Sequence, residues 1–217
     1  MGWSRRYGNW IGAACFVLLA AGALSGTEEE PGPVLPAGTS SAEMTEAWES
    51  EKKKIALTFD DGPHPVYTEQ VLQVLDQGNI PATFFLLGQN IEEHQDLVKE
   101  IDAKGHLIGN HTYHHVQVTS LPLDQACEEI QKTSDLIESL TGKGTEYVRP
   151  PFGTWSEGLE DCLNLIPVMW TIDTLDWTTE NVDEIVCRVT EQAEENGIIL
   201  MHDGYESTVQ ALERFIP

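Results

Sequence analysis

The sequence predicts an α/β protein built on a parallel sheet covered by helices. Two observations carry this. From about residue 54 onward short β-prone segments alternate with helical patterns, and those segments are apolar at consecutive positions, as strands buried on both faces are. A third observation locates the site. Asp60, Asp61, His111, Arg149, Asp173 and His202 all fall at the C-terminal ends of predicted strands. A (β/α) barrel and an open doubly wound sheet both build sites there, so this clue places the chemistry without choosing between the two folds.

Taken from the N-terminus, residues 1–26 read as an export segment. Arg5 and Arg6 precede an apolar run from Trp10 to Leu24, closed by Ser25 and Gly26 and then by Glu28, Glu29 and Glu30. The run, about 15 residues, is short beside the roughly 20 of a spanning helix. Ala21-Gly22-Ala23 offers a cleavage site for a signal peptide, and retention as an N-terminal membrane anchor is the other outcome. Both place the protein outside the cell or on its surface. Residues 27–53 shift to Glu, Pro, Gly, Ser and Thr, the composition of a flexible linker.

The folded domain is expected over 54–217. Ile55 to Phe59 is a strand closed by the turn signal Asp60-Asp61-Gly62-Pro63. Thr68 opens a helix with Val71, Leu72 and Leu75 on one face, stopped by Gly78-Asn79. Ala82 to Leu87 is a buried strand, Asn90 to Ala103 a helix, and Leu107 to Gly109 a brief strand leading into His111. A long amphipathic helix runs from Leu123 to Leu140. Tyr147-Val148 is a strand, Pro167 to Ile172 another, Val182 to Asn196 a helix, and Ile198 to Met201 the last strand. Cys15 lies in the export segment, and Cys127, Cys162 and Cys187 are scattered with no Cys-x-x-Cys pair, which excludes a zinc ribbon. At most one disulfide is possible among those three; free, mostly buried thiols are expected.

With 217 residues, the chain holds one domain plus appendages. Its 36 Asp and Glu against 12 Lys and Arg exclude nucleic acid, whose phosphates need a basic footprint, and disfavour docking on anionic lipid. A neutral glycan partner is compatible, although the acidity is equally well explained as a solubility device. A monomer is expected, touching membrane only through its first segment.

The chemistry concentrates in five segments. Asp60-Asp61 closes a strand, where the turning chain lets both carboxylates face one cleft and take different roles, one on a metal and one as a base. His111 and His115 are four apart, which predicts both imidazoles on one face of a helical turn, with His114 pointing elsewhere. Two His and one carboxylate make a three-ligand site with a position left open, the arrangement of catalytic zinc. No Glu lies inside the His motif, so it is not the His-Glu-x-x-His of metalloproteases, and Asp60 is available as the base. Arg149-Pro150-Pro151-Phe152-Gly153 supplies a fixed cation, Asp173-Thr174-Leu175-Asp176-Trp177 carboxylates beside an aromatic, and Leu200-Met201-His202-Asp203 a histidine able to act as acid. Each alone has a bland reading as a surface pair, a packed ring or a capped loop.

In order and wording, the five segments resemble the motifs of the NodB-homology polysaccharide deacetylases, carbohydrate esterase family four. Thr58-Phe59-Asp60-Asp61-Gly62, His111-Thr112-x-x-His115, Arg149-x-Pro151-Phe152, Asp173-x-x-Asp176-Trp177 and Leu200-x-His202 match them over residues 55–203. The resemblance implies a distorted, incomplete (β/α) barrel; because the chain stops at Arg214-Phe215-Ile216-Pro217, the barrel is expected to lack its last strand. It further implies one divalent ion, zinc foremost with cobalt or others accepted, on Asp61, His111 and His115. Asp60 would be the base, braced by Arg149, and His202 the acid, oriented by Asp173. Trp177 and Leu200 would line the pocket for the acetyl methyl group, and the backbone N–H near Phe152 would stabilise the oxyanion.

The implied activity is hydrolysis of N-acetyl groups on an N-acetylglucosamine polymer, peptidoglycan or chitin-like. Two other classes remain open. One is an esterase removing O-acetyl groups from xylan-like polymers, which the same site chemistry allows; the other is an inactive carbohydrate-binding module on the same fold. Loss of the base, a ligand or the acid would mark the last, and here Asp60, His111, His115 and His202 all stand.

Overall fold

The computed structural model describes residues 17–18, 54–156 and 158–216. The export segment and linker expected before residue 54 lie outside the described residues, apart from a two-residue strand, Val17–Leu18, that pairs antiparallel with Ile55 and Lys54. No helix among the described residues is long and apolar enough to cross a membrane.

Seven parallel strands form one curled sheet. In chain order they are β1 (Lys54–Asp60), β2 (Thr83–Leu86), β3 (Leu107–Asn110), β4 (Tyr147–Val148), β5 (Ile166–Pro167), β6 (Ile172–Asp173) and β7 (Gly197–His202), arranged β5-β4-β3-β2-β1-β7-β6. Helices α1 (Tyr67–Gly78), α2 (Gly88–Glu93), α3 (Gln95–Ala103), α4 (Leu123–Thr141), α5 (Gly158–Cys162), α6 (Val182–Gln192) and α7 (Glu206–Phe215) lie between and after them. This is the half-barrel the sequence predicts.

The strand period of two divides each strand between helix layer and barrel interior. Ile55, Leu57 and Phe59 of β1, Phe84 and Leu86 of β2, and Ile199 and Met201 of β7 face outward into the main core with Val71, Leu72, Leu75 and Leu212. The alternate residues Thr58, Asp60, Phe85 and His202 face inward. Phe85 is opposite Gly109 in register, and a Cβ at Gly109 would fall 2.4 Å from the Phe85 ring, so only glycine lets that ring lie flat across β3.

Where one strand was expected over Pro167 to Ile172, there are two, at opposite ends of the sheet. Val168 N–H donates to Val148 O on one edge and Thr171 N–H to Ile198 on the other, so the chain passes from edge to edge in four residues. The sheet must therefore curl until its ends nearly meet. Arg149 fills the seam: its Nε donates to Val168 O at 3.1 Å and its guanidinium lies 4.2 Å over the Phe85 ring.

Three further expectations are corrected. The helix over Asn90 to Ala103 is broken at His94 into α2 and α3. The helix from Val182 ends at Gln192, where Ala193 turns extended. Cys127 and Cys162 form a disulfide joining α4 to α5, and Cys187 is free and exposed. The separation of 35 residues gave no sign that α5 folds back onto the face of α4 that bears Cys127.

Candidate active site

The site sits at the C-terminal rim, and its loops are held by backbone hydrogen bonds. After β1 the chain turns at Asp61, whose φ of 73° lies in the left-handed region. Asn90 Nδ2 donates to Asp61 O and Leu87 N–H to Gly62 O, which fixes that turn from the β2 side. On the other side a Cβ at Gly62 would lie 2.3 Å from Asp203 Oδ2, so glycine is required there. Asp203 is fully buried, accepts from Thr68 Oγ1 at 2.5 Å, and burial pushes its pKa up to about 7.

The histidine loop is not the helical turn that the spacing suggested. Thr112 and His115 have φ of 67° and 57°, and the loop is held instead by Asn110 Oδ1 accepting from Thr112 N–H and by the first N–H groups of α2 donating to Thr112 O and Tyr113 O. The imidazoles still meet, with ring centroids 5.2 Å apart. His114 turns away to Glu129, with Nδ1 2.7 Å from Oε1. Five left-handed non-glycine residues, Asp61, Thr112, His115, Phe152 and Leu175, surround the site, backbone strain of the kind that functional sites hold.

One carboxylate and two imidazoles converge. His111 Nε2 and His115 Nε2 each lie 3.4 Å from Asp61 Oδ1, and the three donor atoms are mutually within 4.8 Å. His111 Nδ1 is 2.6 Å from Arg149 O; a carbonyl only accepts, so Nδ1 carries the proton and Nε2 offers a lone pair. Asp61 Oδ1 is buried and receives no hydrogen bond among the described residues. Burial acts against the Asp61 carboxylate, but the imidazoles around it, His111 foremost, outweigh that and hold its pKa below the ordinary range. Burial also lowers the pKa of His115, favouring its neutral, ligating form. Lone pairs aimed at one point with no proton between them, at about the spacing of two donors round a shared small ion, fit a divalent metal.

Beside this cluster, Asp60 and His202 are register partners on adjacent strands. Asp60 is buried, with Oδ1 2.7 Å from Arg149 Nη1, which also donates to Thr58 Oγ1. His202 Nδ1 lies 2.7 Å from Asp176 Oδ1, and Asp176 Oδ2 accepts from His202 N–H and Thr208 Oγ1. Burial opposes the imidazolium, but the Asp176 hydrogen bond and the charges of Asp176, Asp60 and Asp61 raise its pKa to about 9. The carboxylate on His202 is thus Asp176, not Asp173. Asp173 instead accepts from Leu175 N–H at 2.9 Å, and the left-handed Leu175 swings the chain into a tight turn over Asp176–Thr178 that buries Asp176 beneath His202.

Phe152 and Trp177 stand exposed on the rim, Phe152 with its ring edge-on to His115 at 4.9 Å; Leu200 is buried and accepts from Thr174. Sequence reasoning gave no role to Thr58, Asn90, Asn110, Thr208 or the Asp203–Thr68 pair, whose side chains make hydrogen bonds to groups far along the chain. Only Asp176 carried a signal, as the second carboxylate of its motif.

Fold and site together define an α/β barrel with a candidate three-ligand metal site beside an aspartate–histidine pair. The sequence pattern of the polysaccharide deacetylases matches residues 48–168, and the chain belongs to that family. It is 39% identical over 176 residues to a peptidoglycan-N-acetylglucosamine deacetylase of Bacillus cereus, covering 76% of this chain and 63% of that protein. It is 40% identical over 159 residues to a chitooligosaccharide deacetylase of Rhizobium leguminosarum bv. trifolii, covering 71% and 74%. The solved peptidoglycan deacetylase PdaC from Bacillus subtilis superposes with a TM-score of 0.74 at 36% identity, covering 76% of this chain and 82% of that one. The chain thus spans less than two thirds of the Bacillus cereus protein's length.

Proposed function

We propose that the chain hydrolyses N-acetyl groups on N-acetylglucosamine residues of a polysaccharide, with peptidoglycan the favoured polymer and chitin-type oligomers the alternative. The observation that carries this reading is the placement of a cluster of one carboxylate and two imidazoles beside the buried Asp60 carboxylate on one side and the Asp176-bound His202 on the other. The relatives named for peptidoglycan and chitooligosaccharides support the substrate class. Action at the cell surface follows from such a substrate and from the export signal read in residues 1–26.

Asp61, His111 and His115 would hold one divalent ion, zinc foremost. When bound, it supplies Lewis-acid polarisation of the acetyl carbonyl and makes water more acidic. The residues of the chain do the rest. Asp60 takes the proton of the attacking water, and Arg149 keeps its carboxylate aligned through the buried ion pair. The N–H near Phe152 faces the developing oxyanion, a contribution typically worth about 10²–10³ in rate. His202, with Nδ1 held by Asp176, donates from Nε2 to the departing amine, which is a poor leaving group until protonated. Trp177 and Leu200 line the space for the methyl group.

Mass spectrometry of N-acetylglucosamine pentamer and of O-acetylated xylan after incubation with metal-loaded protein tests the reading. Acetyl loss from the pentamer that disappears in Asp60→Asn is expected. Loss from xylan alone would turn the reading to the esterase.

A further inference from the structure

Six large apolar side chains stand well exposed among the described residues, and three of them are aromatic: Phe152, Trp177 and Tyr205. Isolated exposed aliphatics need no explanation, but exposed aromatic rings collected on one rim mark a binding surface. All three lie on the loops that follow β4, β6 and β7. Phe152 and Trp177 already have parts in the chemistry proposed above. Tyr205 has none, yet its ring is 40% exposed and stands edge-on to His202, with centroids 6.2 Å apart and planes at 76°.

We propose that Tyr205 is a substrate-binding residue whose exposed ring receives the sugar adjoining the one that loses its acetyl group. This rests on the deacetylase reading and adds to it a preference for oligomers. The leaving amine is part of the reacting sugar and must reach His202. A polymer seated that way runs its neighbouring ring past the side chain that flanks His202. With Phe152 beside His115 and Tyr205 beside His202, aromatic surface borders the reacting sugar on both sides. Sugars present flat C–H faces that cover such rings, and burying an aromatic face on binding is favourable.

The backbone around Tyr205 is pinned, so the ring is presented with little ordering cost. His202 N–H donates to Asp176, Asp203 is locked to Thr68, and Tyr205 O accepts from Val209 N–H in the first turn of α7.

The test compares metal-loaded wild type, Tyr205→Ala and Tyr205→Phe on N-acetylglucosamine monomer and pentamer, with acetate release and calorimetric binding measured in parallel. Tyr205→Ala is expected to raise KM on the pentamer about tenfold more than on the monomer, the scale of one aromatic contact, while Tyr205→Phe keeps the wild-type length preference. An equal loss at both lengths, a loss in kcat alone, or a Phe variant as poor as Ala would overturn the proposal. Calorimetry separates it from the reading beneath it. Binding that tightens with length in the wild type and not in Tyr205→Ala supports the ring even if no acetate is released, in which case the deacetylase reading fails by itself. Wild-type binding that does not tighten from monomer to pentamer overturns the ring's role whether or not acetate appears.

Discussion

At the scale of single residues, the account turns on which proton sits where. His202 has a folded pKa of about 9 against an ordinary 6.5, so its imidazolium stabilises the fold at low pH. That contribution is complete below about pH 6.5 and is lost as pH rises through about 9. Metal-free protein is expected to lose thermal stability across that window, and Asp176→Asn to flatten the loss; equal slopes in both would refute the assignment. The same substitution removes the charge that keeps His202 protonated. It is expected to move the alkaline limb of the pH–rate profile downward and to lower kcat by about 10²–10⁴, the range of general acid catalysis. Asp173→Asn, at a side chain that accepts from Leu175 N–H in its own turn and not from His202, should leave that limb in place. The sequence displayed both carboxylates but not the left-handed Leu175 that decides between them.

At the scale of elements, each rim loop is tied to another element, and the ties were invisible in sequence. The α4–α5 disulfide holds the segment that follows the Phe152 turn. By loop-closure entropy, a bridge across 35 residues is worth about 3–4 kcal/mol. Cys127→Ser with Cys162→Ser is expected to lower the denaturation midpoint correspondingly, without loss of metal binding; an unchanged midpoint would show the bridge is idle. Gly62→Ala should disrupt the Asp61 turn, since the added methyl would occupy the place of the Asp203 carboxylate. Reduced metal affinity, read by equilibrium dialysis, is the outcome to look for. The strands were legible because six of the seven residues of β1 are buried, whatever their neighbours. The break at His94 and the split over residues 166–173 depend on which edge accepts each N–H, which no local pattern encodes.

At the scale of the whole molecule, one side chain links fold and site. Arg149 is fully buried, bonded to Asp60, Thr58, Val168 and Met169, and closes the barrel where the sheet ends approach. Removing one partner of a buried ion pair costs about 3–5 kcal/mol. Arg149→Met is therefore expected to destabilise the fold by that order in a denaturant titration as well as abolish turnover; a loss of activity at unchanged stability would confine Arg149 to the chemistry. From sequence its role was legible as a brace for Asp60 and not as the seam of the barrel, because the seam exists only once the sheet curls. The central claim joins metal to reaction, and one titration tests it most directly. Chelated protein is mixed with increasing zinc while acetate release from N-acetylglucosamine pentamer is followed. The account predicts no release without metal and a rise that saturates at about one ion per chain, the stoichiometry of a single three-ligand site. Full release from thoroughly chelated protein would contradict it.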